Sequence, residues 1–189
     1  MIPRQPCGAR SHGTRTRAFA EALTLGGIHA IGNVTPAADF SVWADPDAAR
    51  AVLRAGLERR LLVPLDTSQQ APVIRAHCDT LAASGLLAQA AGRLIGARIA
   101  AYADRAEVDA RGAAPVHDAF AVAALVERWL LRPQALHVDV ETRDELTTGH
   151  TVIDVDGRSG AAANVQVGWA GAVDGFAEAL VRWLTAPPA

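Results

Sequence analysis

The chain has 189 residues, half of them hydrophobic and a fifth charged, with a formal net charge of −2. These values predict one globular domain with its own core, and the small net charge argues against a nucleic-acid partner. All 18 basic residues are arginines. The sequence therefore excludes enzyme classes that depend on a lysine, such as pyridoxal-phosphate enzymes, class I aldolases and Walker-type NTPases.

The remaining composition favours a protein of the cytoplasm. No apolar run approaches the roughly 18 residues that a membrane-spanning helix needs, so we expect no membrane partner. The two cysteines, Cys7 and Cys78, match no zinc or redox spacing and do not make a disulfide scaffold. A reducing, cytoplasmic location is the expectation that follows.

The order of elements predicts an α/β fold. Residues 1–20 are basic, lack helical or strand periodicity, and are predicted to be a disordered head before a domain at 21–189. Short apolar runs predict strands at 22–25, 61–65, 135–140, 151–155 and 164–169. Asp45-Pro46 predicts a helix start, with Asp as N-cap. Helical spacing predicts further helices at 70–83, at 86–103, from Asp118 to about 130, and at 172–184. This alternation indicates an open sheet with helices packed on it.

The first segment with chemical potential is the loop at residues 28–42, which follows the first predicted strand. It contains an amide, a carboxylate and a hydroxyl, from Asn33, Asp39 and Ser41. These groups suit a vicinal diol, since sugar hydroxyls both donate and accept hydrogen bonds. Loops after strand carboxyl ends are common ligand sites in open α/β sheets. The alternative interpretation is a surface loop with a proline turn.

The second segment places His117 beside Asp118 at a helix start. A histidine there could protonate a leaving group while the neighbouring carboxylate binds a metal ion. The chemistry alone favours another interpretation, in which Asp118 caps the helix and His117 has no special role.

The third segment places Asp139 and Glu141 on one face of a predicted strand. Paired carboxylates are typical of glycosidases. Solvated groups near a strand end are the more common reason for such a pair, and we favour that interpretation here.

Several motifs together resemble the inosine/uridine-preferring nucleoside hydrolase family. Residues 32–49 are similar to the family's G-N-V-T-P-x-A-E-F-N loop and the D-P-E-A-A helix start that follows it. Residues 63–67 resemble its P-L-D-V-T strand end, and 115–120 resemble P-x-H-D-P/A-L. Residues 138–149 are similar to the V-x-V-E-T…L-T-R-G hairpin, and Asn164-Val165 with the helix from Asp174 match the family's ending. The resemblance covers about residues 20–185 in register.

The resemblance implies a fold, an activity and a set of roles. The fold is a truncated, open, Rossmann-like sheet, and the activity is hydrolysis of the N-glycosidic bond of ribonucleosides to ribose and free base. By the same resemblance, Asn33, Asp39 and Ser41 would bind the ribose, His117 would donate a proton to the leaving base, and Asp118 would be a calcium ligand. Relatives are commonly dimers or tetramers, so a homo-oligomer is also expected.

The sequence departs from the family pattern at three points. Asp39 and Ser41 stand where the family has glutamate and asparagine. No aspartate precedes Asp39, whereas family members begin with a D-x-D-x-x-x-D-D turn that binds calcium. Because calcium takes about six to eight oxygen ligands, one carboxylate predicts weak binding. We therefore expect catalysis by this chain alone to be impaired or absent.

Three functional hypotheses follow from these observations. The chain is an N-ribosyl hydrolase that acts through a partner chain or as a fragment of a longer protein, or a non-catalytic riboside-binding or interaction module, or a truncated remnant of the enzyme. Ribose binding without turnover would support the second hypothesis. The sequence does not indicate which base is preferred.

Overall fold

The structure, a computed structural model, describes residues 21–102 and 112–186. The predicted head at 1–20 lies outside these residues. Seven strands are described: β1 (Glu21–Leu25), β2 (Arg59–Val63), β3 (Pro72–Ile74), β4 (Ala113–Pro115), β5 (Leu131–Val140), β6 (Thr151–Asp154) and β7 (Val165–Ala170). The helices are α1 (Phe40–Ala44), α2 (Pro46–Arg54), α3 (Leu65–Ser68), α4 (Arg75–Ala82), α5 (Leu86–Tyr102), α6 (His117–Val126) and α7 (Phe176–Thr185). None of these helices has the length and apolar character required to cross a bilayer.

Five strands form one mixed sheet in the order β1-β2-β7-β5-β6. β1, β2 and β7 run parallel, β5 pairs antiparallel with β7, and β6 pairs antiparallel with β5. A separate antiparallel pair joins β3 to β4. The carboxyl ends of β1 and β2 therefore lie at the same edge of the sheet, and the loops that follow them are neighbours.

The sheet separates two hydrophobic cores because neighbouring strand residues point to opposite faces. Val63 belongs to the core on one face, which the helices α4 to α7 cover, and Phe120 and Phe176 meet edge-to-face within it. Leu62 belongs to the core on the other face, beneath α1 and α2. The predicted open α/β sheet with packed helices is confirmed.

The segment from residue 70 to 83 differs from the sequence expectation. It was expected to be one helix, but Pro72–Ile74 forms β3 and the helix begins only at Arg75. Pro72 lacks an N–H group, and Ala71 and Val73 are buried on a two-residue period, which is the pattern of a strand. Three-residue β4, which pairs with this segment, was not expected either.

Other boundaries differ by a few residues: β5 begins at Leu131 rather than at 135, α6 ends at Val126 rather than near 130, and α7 begins at Phe176 rather than at 172. Asp45 caps α2 as predicted, since its carboxylate accepts a hydrogen bond of 2.9 Å from the amide of Ala48. The loop predicted at 28–42 contains the start of a short helix at Phe40. Leu65 lies in α3 rather than in the preceding strand.

Asp139 joins β5 to α2 through two arginines. Its carboxylate accepts two hydrogen bonds from Arg50, at 3.0 and 2.9 Å, and one from Arg54 at 2.6 Å. Burial raises the pKa of Asp139, but the hydrogen bonds from both arginines outweigh it and lower the pKa to about 2. The carboxylate of Glu141 instead binds backbone amides of the following turn. Asp139 is therefore a structural ion-pair partner of two arginines. Neither earlier interpretation, a glycosidase carboxylate pair or two solvated groups, describes this residue.

We expect Asp139→Asn to lower the free energy of unfolding by about 1–2 kcal/mol at neutral pH, because a partly buried, charge-assisted bridge is lost. The native pKa lies below the ordinary 3.8, so the contribution is present above that pH and disappears as the pH falls through about 2. Urea denaturation between pH 7 and pH 2 measures both. Asp156→Asn, which removes an exposed partner of Arg158, is the matched control with little expected effect. Equal losses for the two variants would contradict the prediction.

Candidate functional site

The candidate site is built on the carboxyl edge of the parallel strands. β1 ends at Gly26-Gly27, and the chain then forms the loop that carries Asn33, Asp39 and Ser41. β2 ends at Val63 and leads directly into α3. The amide of Leu65 donates to the carbonyl of Gly27 at 2.9 Å, so the two connections are held against each other.

Asp39 is the buried anchor of the loop, with only 3% of its surface exposed. One carboxylate oxygen accepts hydrogen bonds from the amides of Gly27, at 2.7 Å, and Val42, at 3.3 Å. The other accepts from the amide of Ser41 at 3.0 Å. Asp39 thus caps α1 and fixes the end of β1. Aspartate is shorter than the glutamate that the family has at this position, and its carboxylate accepts hydrogen bonds from backbone amides. Contact of Asp39 with ribose stays a prediction.

Asn33 and Ser41 are exposed beside this anchor. The side-chain oxygen of Asn33 accepts a hydrogen bond of 2.9 Å from the amide of Phe40, which orients its NH₂ group away from the loop backbone. Asp39 is the N-cap of α1, Ser41 lies in the first turn of that helix, and Asn33 is joined to the same helix start through the amide of Phe40. Asn33 and Ser41 have the accessible polar groups.

Thr151 is a residue that the sequence did not single out. It lies on β6, and its buried hydroxyl accepts from the amide of Ile28 at 2.7 Å and donates to the carbonyl of the same residue at 2.5 Å. Gly27 has a φ of 75°, and a Cβ atom there would lie 2.8 Å from Cγ2 of Thr151. Glycine is required at this position for both reasons.

Asp66 holds the first turn of the same loop from α3. Its carboxylate accepts hydrogen bonds from three successive backbone amides, those of His29, Ala30 and Ile31, at 2.6, 2.9 and 3.2 Å. The motif at residues 63–67 contained this aspartate, but its partners lie more than 30 residues away and gave no local signal.

His117 reaches the same edge from the start of α6. Its Nδ1 atom lies 2.8 Å from the hydroxyl of Ser68, which is fully buried in α3. Ser68 donates its single hydroxyl proton to the carbonyl of Leu65 at 3.1 Å. When the Ser68 hydroxyl donates to Leu65, Nδ1 of His117 is the donor to Ser68 and Nε2 keeps its lone pair.

The surroundings of His117 favour the neutral ring. Burial is the largest cause and the charge of Arg98 is the second, and together they lower the pKa of His117 from 6.5 to about 4. The carboxylates of Asp118 and Asp39 act in the opposite direction with less effect. The loop and the helix start are connected through α3, since Asp66 binds the amide of His29 and Ser68 contacts His117.

Asp118 is exposed in the first turn of α6. The helix begins at His117, its N-cap residue is Val116, and no side chain caps it. The interpretation that Asp118 caps the helix was therefore wrong. A carboxylate in the first turn still favours the helix through the macrodipole.

The described residues provide few side chains for the calcium ion that the family resemblance implies. Across 21–102 and 112–186, no group of three or more His, Cys, Asp or Glu side chains is arranged to hold a metal ion. The carboxylates of Asp39 and Asp66 are occupied by backbone amides, which leaves Asp118 as the accessible one. These residues alone do not fit a calcium ion.

A cavity of about 620 Å³ lies away from the candidate residues. It opens on the face of the sheet beneath the carboxyl end of α6, and none of the predicted site residues lines it. Leu61, Gln166 and Pro133 contribute to its floor from three neighbouring strands, and Leu125 and Arg128 form one side. This cavity and the candidate residues are therefore in different places.

These features define an open-sheet α/β protein with a polar site at the carboxyl ends of parallel strands, the usual location of small-molecule sites in this class. Residues 11–178 match the family model described as "Inosine-uridine preferring nucleoside hydrolase", and the chain belongs to this family. The match includes residues 11–20 of the predicted head.

Curated and solved relatives agree with this assignment. The non-specific ribonucleoside hydrolase RihC of Salmonella schwarzengrund is 36% identical over 154 residues, which are 82% of this chain and 48% of the relative. The fold matches a plant nucleoside hydrolase, PpNRh1, and a purine-preferring ribonucleoside hydrolase from Gardnerella vaginalis, each with a TM-score of 0.77 and 22% identity. These two matches cover 86% and 87% of this chain and 52% of each solved chain. The chain thus spans about half the length of these relatives.

We expect Asp39→Ala to lower the free energy of unfolding by about 2–4 kcal/mol, because buried backbone amides lose their acceptor. Asp39→Asn keeps one acceptor oxygen and should lose less. Asp45→Ala removes an exposed cap of α2 and serves as control, with a loss of about 1 kcal/mol. Thermal and urea denaturation measure the series. A loss for Asp39→Ala no larger than that of the control would show that the carboxylate does not anchor the loop.

We expect His117 to titrate near pH 4, with Nδ1 carrying the proton of the neutral ring. Because this pKa lies below 6.5, acidification from about 6.5 to 4 favours the unfolded chain and lowers stability. Ser68→Ala should shift the neutral ring toward the Nε2-protonated form. Ser84→Ala, which removes a hydroxyl between α4 and α5, is the control and should leave the tautomer unchanged. Nitrogen-15 NMR of the imidazole rings reads out pKa and tautomer. A pKa near 6.5, or a tautomer unaffected by Ser68→Ala, would contradict this account.

Proposed function

We propose that this chain contributes the ribose-binding loop and the base-side histidine of a site that hydrolyses the N-glycosidic bond of ribonucleosides. The observation that carries the proposal is the convergence of two segments on one edge of the sheet. Both segments contact the short helix α3: Asp66 binds amides of the loop, and Ser68 lies 2.8 Å from Nδ1 of His117. Family membership supplies the reaction class.

The loop supplies groups that suit ribose. The NH₂ group of Asn33 and the hydroxyl of Ser41 are exposed on either side of the Asp39 anchor. An amide donor and a hydroxyl that both donates and accepts can pair with vicinal hydroxyl groups. Asp39 holds the backbone that carries these groups, so its proposed role in binding is to position Asn33 and Ser41.

His117 is the group proposed to deliver a proton to the leaving base. Its lowered pKa favours the neutral ring at pH 7, and in the tautomer that donates from Nδ1 its Nε2 atom is an acceptor. A ring in that state has no proton to give from Nε2 until it is first protonated. An additional carboxylate placed close to His117 would raise its pKa. Hydrolysis by this chain alone is therefore expected to be impaired or absent.

Calcium enters the proposal only as an expectation from the family. Asp118 is the side chain that would contact it, and the described residues alone do not fit the ion. We propose weak calcium binding by this chain, and we assign no step to the metal. A homo-oligomer, a cytoplasmic location and the absence of a nucleic-acid partner also remain proposals.

A non-catalytic riboside-binding module is the second candidate. The loop groups are held by contacts within the chain, through Asp39, Asp66 and Thr151, without a metal ion. Binding of a riboside without turnover would favour this candidate.

The test combines binding and turnover on the full 189-residue chain. Titration with inosine, with calcium present, should perturb the NMR signals of Asn33, Ser41 and His117, and Asn33→Ala should weaken binding by about tenfold, roughly 1.4 kcal/mol. 2′,3′-Dideoxyinosine, which lacks the vicinal diol, is the control ligand and should bind less tightly. Signals that do not respond to inosine would sink the proposed site.

Release of ribose and base from inosine and uridine measures turnover in the same samples. We expect little or none, and any residual rate should fall by about 10²-fold or more in His117→Ala. Rapid turnover by the chain alone would overturn the expectation of impairment. Residual turnover that His117→Ala leaves unchanged would remove His117 from the proposal.

A further inference from the structure

The loop segment that presents Asn33 is closed on itself. The carbonyl oxygen of Ala38 accepts hydrogen bonds from three successive backbone amides, those of Asn33, Val34 and Thr35, at 3.2, 3.4 and 3.5 Å. The amide of Ala38 donates in return to the carbonyl of Thr35 at 3.4 Å, and the hydroxyl of Thr35 accepts from the amide of Ala37 at 3.2 Å. Residues 33–38, called here the Asn33 turn, are therefore expected to move as one piece.

The hairpin between β5 and β6 holds the Asn33 turn from outside. Nδ1 of His150 lies 2.9 Å from the carbonyl oxygen of Ala37, which is 113 residues earlier in the chain. Because a carbonyl oxygen only accepts, Nδ1 carries the proton and donates this hydrogen bond. Gly149 packs against the next residue of the turn, since a Cβ atom added to it would lie 3.2 Å from Cβ of Ala38 and 2.8 Å from Cα of Trp43. Two successive hairpin residues thus contact two successive residues of the turn.

His150 is itself held in place by the hairpin backbone. Its amide donates to the carbonyl of Thr147 at 2.9 Å, and its carbonyl accepts from the amide of Glu141 at 2.9 Å. The residue is also half-buried. A donor with a fixed backbone and a partly enclosed ring loses little further conformational entropy when it makes its hydrogen bond. His150 lies just beyond the family motif at 138–149, and its contact with Ala37 was not predicted.

We propose that His150 is a positioning residue of the candidate site, which fixes the Asn33 turn through the carbonyl of Ala37. The NH₂ group of Asn33 is oriented by the turn and by the bond from Phe40 to its side-chain oxygen. Without the bond from His150, the turn keeps its internal hydrogen bonds but loses this anchor. Ordering Asn33 on a ligand then costs more conformational entropy. The inference rests on the proposed function, which assigns the contact with ribose to Asn33.

The affinity of the full 189-residue chain for inosine tests this role. His150→Ala should weaken binding about fivefold, on the scale of one hydrogen bond. His150→Asn keeps an N–H donor at the position of Nδ1 and should restore binding to within about twofold of the wild-type chain. His150→Gln places its amide one bond farther from the backbone and should not restore it. Loss of packing alone would not distinguish these two amide variants.

His137→Ala is the matched control. Nδ1 of His137 lies 3.1 Å from the carbonyl oxygen of Ala162, so this variant removes the same type of contact from β5. It should leave the affinity for inosine unchanged. Equal weakening in the two alanine variants would overturn the inference, as would the same affinity in His150→Asn and His150→Gln.

Hydrogen exchange of the ligand-free chain separates this inference from the proposed function. Ala38 is fully buried, and its amide should exchange about fivefold faster in His150→Ala than in the wild-type chain. The amide of Val167 in β7 is the internal reference and should not change. A wild-type chain that does not bind inosine would refute the proposed function, and exchange at Ala38 would then decide whether His150 fixes the turn. Unchanged exchange at Ala38 would overturn the inference.

Discussion

The fold around the candidate site depends on satisfying backbone amides that turn inward where β1 ends. Asp39 receives three of them with its two carboxylate oxygens, at the point where the sheet, the loop and α1 meet. A buried amide without an acceptor costs free energy comparable to a lost hydrogen bond. The carboxylate of Asp39 therefore stabilises the fold at this position. The exposed groups of Asn33 and Ser41 take their positions from this buried arrangement.

The same burial shapes the chemistry of the site. His117 lies in a setting that opposes its positive charge, because its ring is partly removed from water and Arg98 is close. The two carboxylates within range of the ring do not offset these effects. The neutral ring is therefore the favoured form of His117 at pH 7.

The sequence predicted the parts of this structure that depend on local pattern. The strands at 151–155 and 164–169, the capped start of α2 and the closing helix follow from periodicity and from Asp45-Pro46. The short strands β3 and β4 were missed because three residues carry too little pattern. The loop residues were found through their order in the family motif. The contacts of Ser68, Asp66 and Thr151 were not predicted, because their partners lie 49, up to 37 and 123 residues away, respectively. Pairing across such distances is decided by the fold and leaves no trace in local spacing.

The bond pair between Thr151 and Ile28 ties the last antiparallel strand of the sheet to the loop that follows the first parallel one. A strand at the sheet's far margin would ordinarily fray on its own, and a long loop would ordinarily move on its own. Here each motion requires the other, because releasing Ile28 exposes a buried hydroxyl and releasing β6 leaves two backbone groups unpaired. The loop and strand β6 should therefore open as one cooperative unit, so the mobility of the loop depends on the opposite margin of the sheet.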